Sequence, residues 1–533
     1  MTVAVIGSGL TGLAAAAALV ARGLRPIVID VGEQLDAPRQ EAVRRLAARP
    51  LAELDAGDRA LVTANATFGA GVLPKKLHFG SDYIYAASRD FAPIQTLAAG
   101  RVAFPTFARG GFSNIWGSAV LPVDACDMAD WPISRTDLDP YFRATAALLP
   151  ITGGDDPLAS AFPSYRDRLA ALDPGPQGLA LLADLQRAGP RLARRSTLFG
   201  RARLAIHTTP DAALGVEGCS NCGLCFVGCA RGAIFSSVPT LERMARQGAI
   251  DCRQFFHVER IAQDGARVML HGRDSRSGEP LRLDCDAVFV AAGPLNTTRI
   301  LLASKAMFNT PVRFKESQKF ALPLLRLPAR PTAIEAPSVT LASAFIETKV
   351  AALSDHWLHV QLVPLNDTIT TGARIPTRGA VAAALRPLTR RLMMAWCGLH
   401  SDHSSWVEVT LRQGQAGGPH VLELGHGHAP AALRAARIAA DDLRRKGLLF
   451  RTLFLPEIMR IANPGSGTHC GGSFPMRAQP REPRDTDALG RPFGWSRVFA
   501  VDASVLPSIP GTTLACSVMA NAARIAGQAP LDR

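Results

Sequence analysis

Four cysteines stand in the run Cys219-Ser-Asn-Cys222-Gly-Leu-Cys225-Phe-Val-Gly-Cys229, with two, two and three residues between them. Thiolates at that spacing, separated by small residues, are the ligand pattern with which a ferredoxin loop wraps an iron–sulfur cube. The run departs from that pattern because no proline follows Cys229, and in two-cluster ferredoxins the fourth cysteine serves the other cluster. Two readings stand open for Cys219, Cys222, Cys225 and Cys229: an iron–sulfur centre, or a redox-silent structural loop or zinc site. Disulfides are the weaker reading, because the chain reads as cytoplasmic and thiols there are kept reduced. The remaining cysteines (Cys126, Cys252, Cys285, Cys397, Cys470 and Cys516) are scattered and read as buried free thiols.

A second constellation is Gly7-Ser-Gly-Leu-Thr-Gly12. Gly7 permits a tight turn, Gly9 lets backbone amides approach a pyrophosphate, and Gly12 allows close packing of helix on strand. Leu10 and Thr11 lie where the helix amino terminus faces the phosphate charge. Asp30, eighteen residues after Gly12, is placed to accept hydrogen bonds from a ribose hydroxyl. The turn alone does not separate a flavin from a nicotinamide dinucleotide. A third candidate is His469, in His469-Cys-Gly-Gly-Ser-Phe-Pro-Met476. Imidazole titrates near neutral pH and suits general-base work, although a histidine in a glycine loop, taken by itself, is more often a structural residue.

The elements that must position these residues follow one grammar. Residues 2 to 30 read as strand, glycine turn, helix and strand, the opening of a doubly wound fold. A buried strand at Ala287–Ala291 ends at Ala292-Gly293 and runs into Thr297–Leu302. Another at Val498–Val501 ends at Asp502 and leads into a terminal helix, Cys516–Ala526. The three are expected side by side in one sheet, with ligands at the carboxyl ends of the strands. Alternating stretches such as Ser338–Ile346 and Ser405–Leu411 predict an antiparallel sheet over residues of about 310 to 460. Residues 151 to 215 carry no clear period. The expected class is α/β, a Rossmann-like nucleotide-binding domain interleaved with an α+β substrate domain built on an antiparallel sheet. The expected boundaries are 1–310, with inserted segments including 219–229; 311–460 for the substrate domain; and 461–533 returning to the first lobe.

A chain of 533 residues exceeds what one core usually organises, and 47% apolar with 20% charged residues argues against extended disorder. The net charge of +14, from 59 Lys and Arg against 45 Asp and Glu, favours anionic partners, though an arginine-rich composition accounts for it as well. No nucleic-acid motif is present. No apolar run long enough to span a bilayer occurs, and no basic-then-apolar leader opens the chain. The basic and apolar stretch Leu385–Trp396 reads as a packed surface helix, with a membrane-surface helix as the alternative.

Several ordered blocks resemble the glucose-methanol-choline family of flavin oxidoreductases, over most of the chain. Arg109-Gly-Gly-Phe-Ser-Asn-Ile-Trp-Gly117 resembles the family's glycine-rich loop over the flavin and pyrophosphate, which implies cofactor contacts for Gly110, Gly111, Ser113, Asn114 and Trp116. Asp130-Trp-Pro-Ile-Ser with Asp137-Leu-Asp-Pro-Tyr141 resembles the segment that follows that loop. Val290–Leu302 resembles the second cofactor turn, implying contacts at Ala292 and Gly293, and Val258 sits where a backbone contact to adenine is expected. Val501–Pro507 and Ala520–Ala526 resemble the carboxyl-terminal cofactor strand and helix, with Asp502 on the flavin side. The His469 motif is similar to the family's active-site motif, which implies that His469 is the catalytic base, with Gly471 and Gly472 close to the flavin.

The resemblance implies FAD. Ile115 stands where some relatives carry a histidine bonded to the flavin, so the FAD is expected to be non-covalent. The position where a partner Asn or His usually follows is Thr513, able to donate one hydrogen bond to substrate or cofactor. His400 and His403 are weaker substitutes for that partner. The expected activity is oxidation of an alcohol on a sugar or glycoconjugate, anionic if the charge reports it, by a dehydrogenase; oxygen, a quinone and a protein all stand open as electron acceptor. Two rivals are oxidation of a long-chain or lipid alcohol at a membrane surface, and a non-catalytic flavin and iron–sulfur electron-transfer protein.

Overall fold

The computed structural model describes residues 1–64, 76–85, 91–97, 105–327, 339–365, 370, 379–415, 418–427 and 430–531. Val3–Ile6 is a wholly buried strand, as expected of a β-branched run covered on both faces. It pairs in parallel with Ile27–Ile29 on one side and Ala287–Val290 on the other. Asp251–Arg253 extends the sheet beyond the first neighbour, and Val498–Ala500 extends it beyond the second, again in parallel. The three segments that share one grammar in the sequence thus share one five-stranded sheet. Phe289 and Phe499 stack with ring centroids 4.9 Å apart on two of its strands.

Helix Leu10–Ala21 carries an unbroken run of alanines, Ala14 to Ala18. Small side chains admit a close neighbour, and helix Ala515–Gln528 packs against it. Arg22 ties the two by donating to the carbonyls of Ala526 (2.7 Å) and Ala529 (3.0 Å).

The other lobe holds two sheets where one was expected. The larger has seven strands, and its main path runs Thr452–Phe454, Lys319–Arg326, Leu392–Gly398, Ser354–Pro364, Ala344–Val350 and Thr197–Arg201. The second places Val312–Glu316 between Cys470–Gly471 and Trp406–Arg412, then adds Val421–Gly427 and Ile94–Thr96. Ser338, the start of one anticipated stretch, lies outside the described residues; the strand there is Ala344–Val350.

Two segments differ from their sequence reading. Residues 175–193, without assignment before, form a helix whose Leu181, Leu185, Ala188 and Leu192 are buried, followed by the edge strand Thr197–Arg201. Glycines and Pro190 within that helix masked its period. The stretch Leu385–Trp396 is neither a surface helix nor a membrane helix throughout. A helix ends at Thr389, and Leu392–Gly398 is an inner strand with Met393, Ala395 and Cys397 buried in alternation. No helix among the described residues is long and apolar enough to cross a membrane.

Candidate active site

The glycine turn is shaped by close backbone approach. Gly7 has φ +106°, and a Cβ there would stand 2.2 Å from the carbonyl oxygen of Ala291; one at Gly12 would stand 1.9 Å from that of Gly7. Gly9 is open, with its nearest neighbour at 3.9 Å. Asp30, ending the second strand, accepts from the Ser8 amide (2.8 Å), the Ser8 hydroxyl (2.5 Å) and the Gly32 amide (2.7 Å). Burial nonetheless pushes its carboxyl above the usual range. The Ser8 hydroxyl also accepts from the Gly110 amide (2.7 Å), which joins the turn to the loop 109–117.

That loop braces itself. Ser113 donates to the Gly110 carbonyl (2.6 Å), Asn114 donates to the carbonyls of Arg109 and Gly111, and the Trp116 indole donates to that of Phe235 (2.7 Å). From the carboxyl-terminal segment, Asp502 accepts from the Thr297 hydroxyl (2.5 Å) and the Ser504 amide (3.0 Å).

These segments converge on one open cleft. From the amino-terminal turn and strand, Gly7, Gly9, Leu10, Thr11 and Asp30 line it. Gly111, Ser113 and Trp116 line it from the loop, and Val258, Ala292, Gly293 and Asp502 from the remaining segments. The fit to FAD rests on the open Gly9, on carboxylates at the ends of two parallel strands, and on the helix start between them.

Four of the anticipated residues stand behind the wall. Gly12 packs on Gly7, Gly110 on Ser8, and Asn114 is spent on the loop's carbonyls. Thr513 is the substantive correction. It is 1% exposed, and its hydroxyl accepts from the Leu121 amide (2.6 Å) and donates to the Leu121 carbonyl (3.1 Å). That hydroxyl is committed to the backbone, and Thr513 lines neither this cleft nor the cavity beside it.

Residues without a sequence signal also line the cavity. Asn296 and Arg299 project from the first turns of helix Pro294–Ser304, and His257 comes from the neighbouring strand. Arg299 is anchored by the carbonyls of His420, Ala92 and Pro93. The i, i+3 spacing of Asn296 and Arg299 just after the Ala292-Gly293 turn was the one available clue.

His469 stands where this cavity meets a second and lines both, as do Phe112, Trp116 and Thr468. The second is lined further by Lys319, His359, Gln361 and Trp396, and by Ile115. The backbone at His469 is fixed: its carbonyl accepts from the Ser317 amide (2.9 Å), and Cys470–Gly471 pairs with Lys315–Glu316. The preceding loop is held by Glu316, whose carboxyl accepts from the Gly465 amide (2.9 Å) and is pushed up to about 7 by burial. A Cβ at Gly471 would stand 2.0 Å from the Ala503 carbonyl oxygen. Burial first, then the charges of Lys319 and His359, drive the His469 imidazole well below its usual range, so it is neutral. Its Nδ1 is buried without a hydrogen-bond partner among the described residues.

His400 and His403 line neither cavity. His400 stacks on His356 with centroids 3.6 Å apart, and His403 Nε2 lies 2.7 Å from the Ser354 hydroxyl. The four clustered cysteines share one loop, with Cys222 exposed and the other three half-buried. Burial pushes the Cys219 thiol up to about 11 and raises that of Cys229. Among the described residues the one trio of ligand atoms within 4.8 Å is Asp127, His356 and His400.

No protein-family profile and no curated protein sequence matches the chain. Among solved structures, pyridoxine 4-oxidase from Mesorbium loti superposes with a TM-score of 0.56 at 15% identity, covering 99% of this chain and 98% of that one. The likeness spans nearly the whole of both chains, and at that identity what it establishes is the architecture: this chain has the fold of pyridoxine 4-oxidase.

Proposed function

We propose that the chain is an FAD-dependent oxidoreductase of the glucose-methanol-choline type that oxidises an alcohol, with His469 as the base and FAD held without a covalent bond. The observation that carries this reading is the position of a single neutral imidazole shared by two cavities, one lined by the glycine turn and the ends of the parallel strands and one by the antiparallel sheet. Bound FAD supplies the acceptor for the hydride that leaves the alcohol carbon. His469 takes the hydroxyl proton, a task for which an uncharged imidazole is ready. Ser317 and Glu316 hold the backbone on which the imidazole stands, and Trp116, braced on Phe235, walls both cavities. The resemblance of the loop and histidine motifs favours a sugar or glycoconjugate as the substrate, and an iron–sulfur centre in the cysteine loop, taking electrons one at a time, favours a dehydrogenase over an oxidase.

The test uses protein purified without oxygen. A flavin absorbance band that is bleached anaerobically by a member of a panel of free sugars, nucleotide-linked sugars, fatty alcohols and pyridoxine supports the reading. The member that bleaches it fastest separates the sugar reading from the lipid one. A flavin band that no alcohol bleaches but a redox partner does would replace the enzyme with an electron-transfer protein. Acid precipitation that leaves the flavin on the protein would overturn the non-covalent assignment. Cys219, Cys222, Cys225 and Cys229 remain the donors an iron–sulfur centre would take, and iron and sulfide content of the same sample decides that assignment.

A further inference from the structure

The chamber beyond His469 carries charge for which the oxidation of a neutral alcohol has no use. Lys319, at the start of strand Lys319–Arg326, lines it together with His359 and Gln361 from the next-but-one strand. The hydrogen-bond partner of the Lys319 ammonium among the described residues is the Ser317 hydroxyl, at 3.1 Å. An ammonium has three donors, and no carboxylate among the described residues stands within ion-pair distance of it. The two carboxylates that influence it are engaged elsewhere: Glu316 with the Gly465 and Gly467 amides, Glu347 with His359. A Cβ at Gly398 would stand 2.4 Å from Lys319 Nζ, so the facing strand is cut back to admit the ammonium.

Lys76 lines the same chamber, and none of its lining residues among the described ones is acidic. Burial pushes the Lys319 ammonium down to about 8, which leaves it charged at neutral pH. A desolvated cation without a counter-ion is costly, and the cost is recovered when a ligand brings the missing charge. The aromatic faces of Trp116, Trp396 and Phe112 border the same space and suit a ring.

We infer that the substrate is an anionic alcohol, whose carboxylate or phosphate pairs with Lys319, with Lys76 as the second cation, while its hydroxyl is presented to His469. This rests on the oxidoreductase reading for the hydroxyl and on the chamber alone for the anion, and the two fail separately.

Binding is read without turnover, on the FAD-loaded protein, by titrating acetate and inorganic phosphate against chloride at matched ionic strength. The expected result is a rise in the thermal midpoint and a shift of the flavin band with acetate or phosphate at millimolar concentration, at least tenfold below any effect of chloride. Lys319→Met is expected to abolish the response and Lys319→Arg to retain part of it. No response beyond that of chloride, or an equal response in Lys319→Met, overturns the inference. Should Lys319→Met fail to fold, Lys319→Gln, which keeps a polar side chain and removes the charge, is expected to weaken the same response at least tenfold; an unchanged response overturns the inference too. Anaerobic reduction is then compared for a hexose, its uronic acid and its 6-phosphate. Faster reduction by the uronic acid assigns the anion as carboxylate, and by the phosphate as phosphate. Anion binding with no reduction by any alcohol would sink the oxidoreductase reading and leave the anion site standing. Reduction by the neutral hexose as fast as by both charged forms would sink the anion site instead.

Discussion

His469 is set apart from His257 and His359, the other neutral histidines of the two cavities, by lining both. Its imidazole lines two cavities, yet burial and the neighbouring Lys319 hold its protonated form in disfavour. Removing a positioned general base costs about 10²–10⁴-fold in rate. His469→Ala is therefore expected to lower kcat by that range while leaving the flavin spectrum in place, measured by stopped-flow reduction. A variant that loses flavin instead would mark His469 as a structural residue. The pH profile gives an independent check. Because the pKa is depressed, the base form persists on lowering pH through 6.5, and the acid limb of kcat/KM is expected below that value. The partner for this histidine was misplaced in sequence because an ungapped count landed on Thr513, whose hydroxyl Leu121 has claimed. The groups beside the imidazole, Lys319 and His359, belong to strands remote in sequence. A lysine in an alternating strand carries no local mark of the chamber it will enter.

At the scale of elements, the glycine turn and the loop before His469 each make a separate prediction. At Gly12 a methyl group would press on the Gly7 carbonyl at 1.9 Å, backbone against backbone. Gly12→Ala gains about 1 kcal/mol of helix propensity but forces helix and strand apart. The expected outcome is a lower thermal midpoint and substoichiometric FAD, measured by absorbance ratio; full FAD occupancy would show that the turn tolerates the wider packing. In the second element, Glu316 holds the Gly465 amide from a buried position. Its folded pKa of about 7 exceeds the unfolded value of 4.5. The carboxyl is neutral in both states below 4.5; as pH rises towards 7 only the unfolded chain ionises, so stability declines, then levels off. At about 1.4 kcal/mol per pH unit the loss comes to roughly 3 kcal/mol. Glu316→Gln removes the titration, so the variant's midpoint relative to wild type is expected to rise between pH 5 and pH 8. A pH-independent difference would place the ionisation elsewhere. The glycine turn was legible because strand, turn, helix and Asp30 lie within thirty residues. The Glu316 clamp was not, because its donors are backbone amides about 150 positions away. Helix Gly175–Ala193 was hidden by its own glycines and proline, and strand Leu392–Gly398 by the basic residues of the turn before it.

Over the whole molecule the chain passes repeatedly between its two lobes. Ile94–Thr96 and Thr197–Arg201 leave the first lobe to join different antiparallel sheets, and Cys470–Gly471 pairs with Val312–Glu316 just before Val498–Ala500 closes the parallel sheet. Neither lobe can unfold without withdrawing strands from the other, so their stabilities are expected to be a single quantity. FAD binds at the carboxyl ends of the parallel strands in the proposed reading, and a ligand at a hundredfold excess over its Kd stabilises the folded state by about 2.7 kcal/mol. Thermal unfolding followed by flavin fluorescence, which reports the cofactor lobe, and by far-UV circular dichroism, which also reports the antiparallel sheets, is expected to give coincident transitions. Added FAD should move both together. Flavin release well below the loss of circular dichroism, with FAD shifting the first alone, would mean that the crossing strands do not couple the lobes and that the antiparallel domain stands by itself.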